Sequence, residues 1–178
     1  MPTKPRVTLR PRTDADLDAL YSIAADLETW EERNPGRPAI PTRERWESRI
    51  VARDAESDGN LSFVIDVDGT AVGHIGVFDI DDLSRHGEVG ISLTPPARGR
   101  GIGTEAMAQM LEFAFVRANL RRIHLEVIAS NVRAIRSYEK AGFVVEGRQR
   151  EHAWVRGHYE DLVRMGILRS EWAASRAE

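Results

Sequence analysis

The run Arg98-Gly99-Arg100-Gly101-Ile102-Gly103-Thr104 decides how this chain is read. It follows an apolar, strand-like stretch over 89–93 and a Pro95-Pro96 break, and it leads straight into residues with helical periodicity. Its three glycines let the backbone fold tightly and bring N–H groups close to a ligand. The first turn of the following helix adds unpaired donors and the positive end of the peptide dipoles, which suit a phosphate. Arg98 and Arg100 add charge-assisted donors for phosphate oxygens. Taken alone, the run also serves as a plain turn between strand and helix, but a turn has no use for two arginines. It is not a Walker A loop, because no Gly-Lys-Ser/Thr follows. Gly99, Gly101 and Gly103 also miss the Gly-x-Gly-x-x-Gly dinucleotide spacing.

Upstream, residues 7–10 read as a first strand. Thr13, with Asp16 three residues on, marks a helix start, and Leu17, Leu20, Ile23, Ala24 and Leu27 form one stripe. Residues 34–41 hold three prolines and a glycine and read as a loop, after which a second helix begins at Thr42 and carries Trp46, Ile50 and Val51. Strands over 61–67 and 71–78 meet at Asp68-Gly69, a strong hairpin signal, and another strand covers 86–93. Gly90 within it marks a bulge or a close backbone approach.

Downstream of the glycine run, Met107, Met110, Leu111, Ala114, Phe115 and Ala118 share one helix face. A strand over 123–128, a helix over 132–141 stopped at Gly142, and a hairpin of 149–155 with 158–168 turning at Arg156-Gly157 follow. The charged stretch 169–178 reads as a frayed tail. With no repeat, low-complexity tract or linker, residues 1–178 form a single domain. Hairpin-paired strands come first and helix-linked strands later, so the fold class is α+β with a mixed sheet.

Bulk properties narrow the function. The 178 residues are 42% hydrophobic and 30% charged, as in a soluble globular protein with a sizeable core. A net charge of -3 gives no footprint for nucleic acid or an anionic membrane. The absence of cysteine excludes disulfides, thiolate metal sites and a cysteine nucleophile. Residues 1–12 are polar and proline-bearing, unlike a signal peptide, and no stretch is apolar enough to cross a bilayer, so the expected location is cytoplasmic. The five histidines, His74, His86, His124, His152 and His158, have no metal spacing, and no metal is expected. A Gly-x-Ser-x-Gly elbow is also absent.

A second segment runs Asn131-Val132-Arg133-Ala134-Ile135-Arg136-Ser137-Tyr138-Glu139-Lys140-Ala141-Gly142-Phe143. By itself it is a capped amphipathic helix, with Asn131 as cap, Ala134, Ile135 and Tyr138 inward, and Gly142 as stop. Paired with the glycine run in this order and spacing, it resembles the GCN5-related N-acetyltransferase (GNAT) superfamily. There, Arg/Gln-x-x-Gly-x-Gly/Ala binds the pyrophosphate of acetyl-coenzyme A, matching Arg98, Gly101 and Gly103. An Asn…Ala…Tyr…Lys-x-Gly-Phe pattern matches Asn131, Ala134, Tyr138, Lys140, Gly142 and Phe143. The likeness spans residues 7–172. Within the superfamily the chain is most similar to the branch of ribosomal-protein N-terminal acetyltransferases and spermidine acetyltransferase, through Leu9-Arg10, the run Arg156-Gly157-His158-Tyr159-Glu160-Asp161, and Arg164-Met165…Leu168…Glu171-Trp172. Ala97 stands where many relatives carry a bulkier or polar residue.

The resemblance implies a GNAT fold, a mixed and mostly antiparallel sheet of about seven strands with four helices. It implies acetyl-CoA as co-substrate and transfer to a primary amine, a protein N-terminus or a polyamine-like acceptor, by direct attack. The missing cysteine independently disfavours acyl storage. Pyrophosphate binding falls to Arg98, Gly99, Arg100, Gly101, Ile102, Gly103 and Thr104, and backbone pairing with the pantetheine arm to Ile91, Ser92 and Leu93. Asn131, Ala134, Tyr138 and Lys140 join the coenzyme side. Tyr138 is the implied general acid, with a core tyrosine on the helix face as the lesser alternative.

Glu88 shares a strand face with Gly90 and Ser92 and is the candidate base, against a solvated strand carboxylate. Glu126 and ordered water are the alternatives. Trp30, Glu31 and Tyr159 are the candidate acceptor-binding residues. Acidic residues gather at Asp26, Glu28, Glu31 and Glu32, diluted by Arg33 and Arg37, and again at Asp79, Asp81 and Asp82, which suits a cationic amine. A drug or metabolite amine, and a non-catalytic acyl-CoA-binding module, are the rival readings. Family analogy admits a homodimer.

Overall fold

The computed structural model describes residues 6–33, 40–55 and 59–176. In chain order its elements are β1 (Val7–Arg10), α1 (Leu17–Ala24), α2 (Leu27–Arg33), α3 (Arg43–Ala55), β2 (Leu61–Val67), β3 (Thr70–Asp81), β4 (His86–Leu93), α4 (Ile102–Glu112), β5 (Arg122–Ile128), α5 (Val132–Lys140), β6 (Val144–Val155), β7 (His158–Leu168) and α6 (Arg169–Ser175). Residues 34–39 of the expected loop, Arg37 among them, and the side chains of Glu32 and Arg33 lie outside the described residues.

The strands make one sheet in the order β1-β2-β3-β4-β5-β7-β6. All neighbours are antiparallel except β4 and β5, which the α4 crossover makes parallel. Asp68 and Gly69 both take left-handed φ angles, 52° and 87°, the turn that lets β2 double back as β3. β6 is an outer edge and carries register shifts at Val145/Gly147 and Gln149/Ala153.

Alternation along the strands assigns the two faces. On one, Ile65, Ile75, Val77 and Val89 join Ile123, Leu125, Val127, Met165 and Ile167 beneath Met107, Met110, Leu111 and Phe115 of the α4 segment. Ile135 and Tyr138 of α5 pack on the same cluster. Buried Leu20 and Ile23 of α1 lie on the opposite side of β3, where Val64 of β2 faces them. α4 ends in one π-helical turn, Phe113–Arg117, which seats Phe115 in the core.

Three expectations are corrected. The stripe from Leu17 to Leu27 is two helices, because the Asp26 carboxylate accepts the Thr29 N–H at 3.0 Å and starts a new one. The tail is helical over Arg169–Ser175: the Glu171 carboxylate accepts the Leu168 N–H at 2.9 Å, and Trp172 packs on Phe115 with ring centroids 5.4 Å apart. Those two bring the α-helices among the described residues to six, where about four were expected. Gly90 is not at a bulge, since β3–β4 pairing runs evenly through Gly76↔Gly90 and shifts only between Phe78 and Asp81. Its reason is close approach: a Cβ there would stand 2.9 Å from the Phe78 ring. No described helix is long and apolar enough to cross a membrane.

Candidate functional site

The site begins where the sheet opens. Among the described residues, β4 pairs with β5 only at His86↔Arg122, Gly87↔Ile123 and Glu88↔His124. β4 continues to Leu93 paired with β3, and β5 continues to Ile128 paired with β7, so the two strands diverge after Glu88. The wedge leaves N–H and C=O groups of 89–93 facing a gap instead of a strand, and such groups need partners. Ile91, Ser92 and Leu93 stand there. Leu93 O already accepts Arg98 Nε at 3.1 Å. The Ser92 hydroxyl is buried with no hydrogen-bond partner.

The glycine run closes the wide end of the wedge at the α4 N-terminus. Gly99 and Gly101 take φ angles of 72° and 80°, and a Cβ at either would meet nothing within 4 Å, so this backbone is open to a ligand. Ile102 is fully buried and anchors the turn, leaving only its amide for binding. At Gly103 a Cβ would meet Leu93 and Ile91 only at ordinary contact distance. Thr104 Oγ1 is 2.9 Å from Ser137 Oγ, tying this turn to α5.

The two arginines part company. Arg100 is exposed. The Arg98 guanidinium turns back to Leu93 O and the Thr29 hydroxyl and lies 3.6 Å from the Asp26 carboxylate. This is the resting place for a mostly buried cation beside an anion. The Asp26 carboxyl is held below its ordinary range, first by the Thr29 hydroxyl and then by the Thr29 N–H and Arg98. Arg98 therefore fastens α2 to the end of β4, while Arg100 stays exposed beside the glycine turn.

On α5, Asn131 Oδ1 accepts the Ala134 N–H at 3.1 Å, so its cap role is real. Tyr138 is half-buried with its ring edge-on to Phe143 at 6.0 Å. Lys140 is exposed one turn beyond Ser137, on the side of α5 that meets the glycine run. A cleft of about 370 Å³ lies between Ile128, Asn131 and Val132 and the hairpin residues Val155 and Arg156.

Glu88, Gly90 and Ser92 share the other face, with the Phe78 ring over Gly90. Burial pushes the Glu88 carboxyl above its ordinary range, helped by Glu126 and Asp79 and opposed by Arg164. Glu126 is bound by Arg164 Nε at 2.8 Å, whereas Glu88 faces His124 Nε2 at 3.9 Å.

Of the candidate acceptor residues, Trp30 and Glu31 lie on α2, which the β6–β7 turn reaches. Arg156 reaches Glu28 at 3.2 Å and Glu31 at 3.7 Å, so the hairpin tip spans from the sheet to α2. Trp30 is half-buried, and its Nε1 is enclosed without a hydrogen-bond partner. Tyr159 is mostly exposed, with its ring edge-on to Trp154 at 4.8 Å. The Phe78 ring over Gly90 and the reach of Arg156 to α2 are contacts that sequence reading missed. The Arg156-Gly157 turn was visible, but the ion pairs it makes across the fold were not.

Comparison with known proteins agrees with this geometry. A family model described as an acetyltransferase (GNAT) domain matches residues 6–144. The spermidine N(1)-acetyltransferase of Escherichia coli strain K12 is 27% identical over 177 residues, covering 98% of this chain and 92% of that protein. The L-amino acid N-acetyltransferase AaaT of the same strain is 28% identical over 166 residues, covering 92% and 98%. The crystal structure of spermidine N-acetyltransferase from Vibrio cholerae in complex with CoA and spermine superposes with a TM-score of 0.85 at 25% identity, covering 94% and 98%.

Proposed function

The chain belongs to the GNAT family and is an acetyl-CoA-dependent N-acetyltransferase; from that premise we propose that its acceptor is a primary amine of a polyamine-like cation, acetylated by direct attack. The observation that carries the reading is the wedge between β4 and β5, with Glu88 at its apex and the open glycine turn at its mouth. The residues fit the coenzyme. The unpaired strand edge suits an amide-bearing arm, the buried Ser92 hydroxyl awaits a partner, and the left-handed glycine turn suits a diphosphate.

Bound acetyl-CoA supplies the activated acetyl thioester. Amides of 99–103, at the start of α4, hold its phosphates, with Arg100 adding charge. An N–H of β4 beyond Glu88 polarises the carbonyl, a donor worth about 3 kcal/mol in a dry site. Glu88 takes a proton from the acceptor amine, a task that its upward-shifted pKa favours. Tyr138 gives its phenolic proton to the departing sulfur. Glu28 and Glu31, beside half-buried Trp30, attract the remaining positive charge of the acceptor.

Thiol release from acetyl-CoA, followed with spermidine, spermine, free amino acids and peptides with open N-termini, tests the reading. Saturable release at lowest KM with the polyamines is expected. Tight acetyl-CoA binding without release to any amine would overturn the enzyme reading, and a preference for amino acids or peptides would overturn the acceptor assignment.

A further inference from the structure

Acetylating a protonated amine leaves one proton over. The ammonium loses two protons as the amide forms, sulfur takes one, and the other must reach bulk solvent. Glu88 at the wedge apex is mostly enclosed, so the proton it accepts needs an exit.

The residue across the strand pair is His124, whose Nε2 lies 3.9 Å from Glu88 Oε2. Their side chains keep only 23% and 28% of their exposure. A small side-chain rotation or one bridging water spans that distance. His124 also lines a separate cleft of about 300 Å³ with His86, Arg122, Leu125, Glu146 and Arg164. The His86 ring stands edge-on to His124 at 5.6 Å, and its Nδ1 is buried without a partner. The residues lining the first cleft, Ile128, Asn131 and Arg156 among them, do not line this second opening.

We propose that His124 acts through Glu88 as its relay, taking the amine-derived proton from the carboxyl group and releasing it to water in the His86–Arg164 cleft. This rests on the reading of Glu88 as base. In the step, the Glu88 O–H bond breaks and an N–H bond forms at His124 Nε2; the imidazolium then loses a proton to water, and carboxylate and neutral ring are both restored. Burial raises Glu88 and lowers His124, so the two affinities for a proton converge, as efficient sharing requires. The charges facing the pair come from every neighbouring strand. They are Asp79 on β3, His86 on β4, Arg122 and Glu126 on β5, Arg164 on β7 and Glu146 on β6. Arg122 and Arg164 are already paired with Glu146 and Glu126, which leaves His124 as the group placed to exchange a proton with Glu88.

The test compares His124→Gln with Glu88→Gln in the full chain, at several pH values and buffer strengths, with acetyl-CoA affinity from calorimetry. His124→Gln should lower kcat about ten- to hundred-fold in dilute buffer, with acetyl-CoA affinity unchanged and activity recovered by added imidazole. Side-chain NMR of His124 gives a readout without turnover. A carboxylate favours the imidazolium, so Glu88→Gln should move the His124 titration midpoint downward. If Glu88→Gln loses activity while His124→Gln keeps full kcat in every buffer, the relay is wrong and the base stands. If Glu88→Gln keeps full activity, the base reading falls and takes the relay with it. Loss in His124→Gln that imidazole does not restore, with the His124 midpoint indifferent to Glu88, also overturns the relay.

Discussion

β4 has two edges with different fates. Toward β3 it is paired from His86 through Leu93; toward β5 its pairing stops at Glu88. The residues are the same, so the difference lies in what the neighbouring strand does. The closed edge fixes register and holds the core side chains Ile75 and Val77 under α4. The open edge has no strand partner beyond Glu88, and the buried Ser92 hydroxyl nearby has no hydrogen-bond partner. One strand is thereby closed on one side and open on the other, as the proposed coenzyme site requires.

Substitutions should separate the two roles. The largest effect is expected at Gly101→Val, where a β-branched residue meets a φ of 80° and fills the open turn; calorimetry should detect no acetyl-CoA binding, at a stability cost of about 1–3 kcal/mol. Normal binding would remove the glycine turn from the open side. Tyr138→Phe should lower kcat about a hundred-fold while the acetyl-CoA affinity stays within about two-fold; equal turnover at saturation would return Tyr138 to the core.

On the scaffold side, Asp16 is buried and takes Arg10 at 2.7 and 2.8 Å together with the Thr13 N–H and hydroxyl. Arg10 first, then the Thr13 groups, hold its carboxyl well below the ordinary aspartate range. Asp16→Asn should cost about 2–3 kcal/mol in denaturant unfolding without changing KM. Because the folded value is depressed, this stability is complete above the unfolded value near ~4 and is lost as pH falls below it. Acid unfolding midpoints identical in wild type and Asp16→Asn would contradict the assignment. The smallest change is expected for Ser92→Ala, within about 0.5 kcal/mol in thermal unfolding because no hydrogen bond is lost. Weakened coenzyme binding alongside that neutrality would mark the hydroxyl as part of the open edge.

What could be read from the sequence was local. The Asp68-Gly69 turn, the glycine run and the Asn131 cap each complete their chemistry within a few residues, and all three stand where their spacing puts them. The break between α1 and α2 was obscured because Leu17 through Leu27 keep one continuous stripe; Asp26, three residues before Thr29, was the overlooked cap. The helical tail escaped because its reason, Trp172 on Phe115, spans 57 positions in the chain. Glu88 could be assigned a face by alternation, but its meeting with His124 depends on a parallel pairing across an intervening helix, which no local pattern encodes. The contact of Arg98 with Thr29 was hidden because the two lie 69 positions apart.

The register shifts of β6 have a consequence for life in a crowded solution. This strand is the outermost of the sheet, where a straight row of free amides would template the strand of another molecule. Two irregularities and the charges of Arg148, Arg150 and Glu151 interrupt that row. The long hairpin can extend far enough for Arg156 to reach α2 without offering neighbours a rail for filament growth.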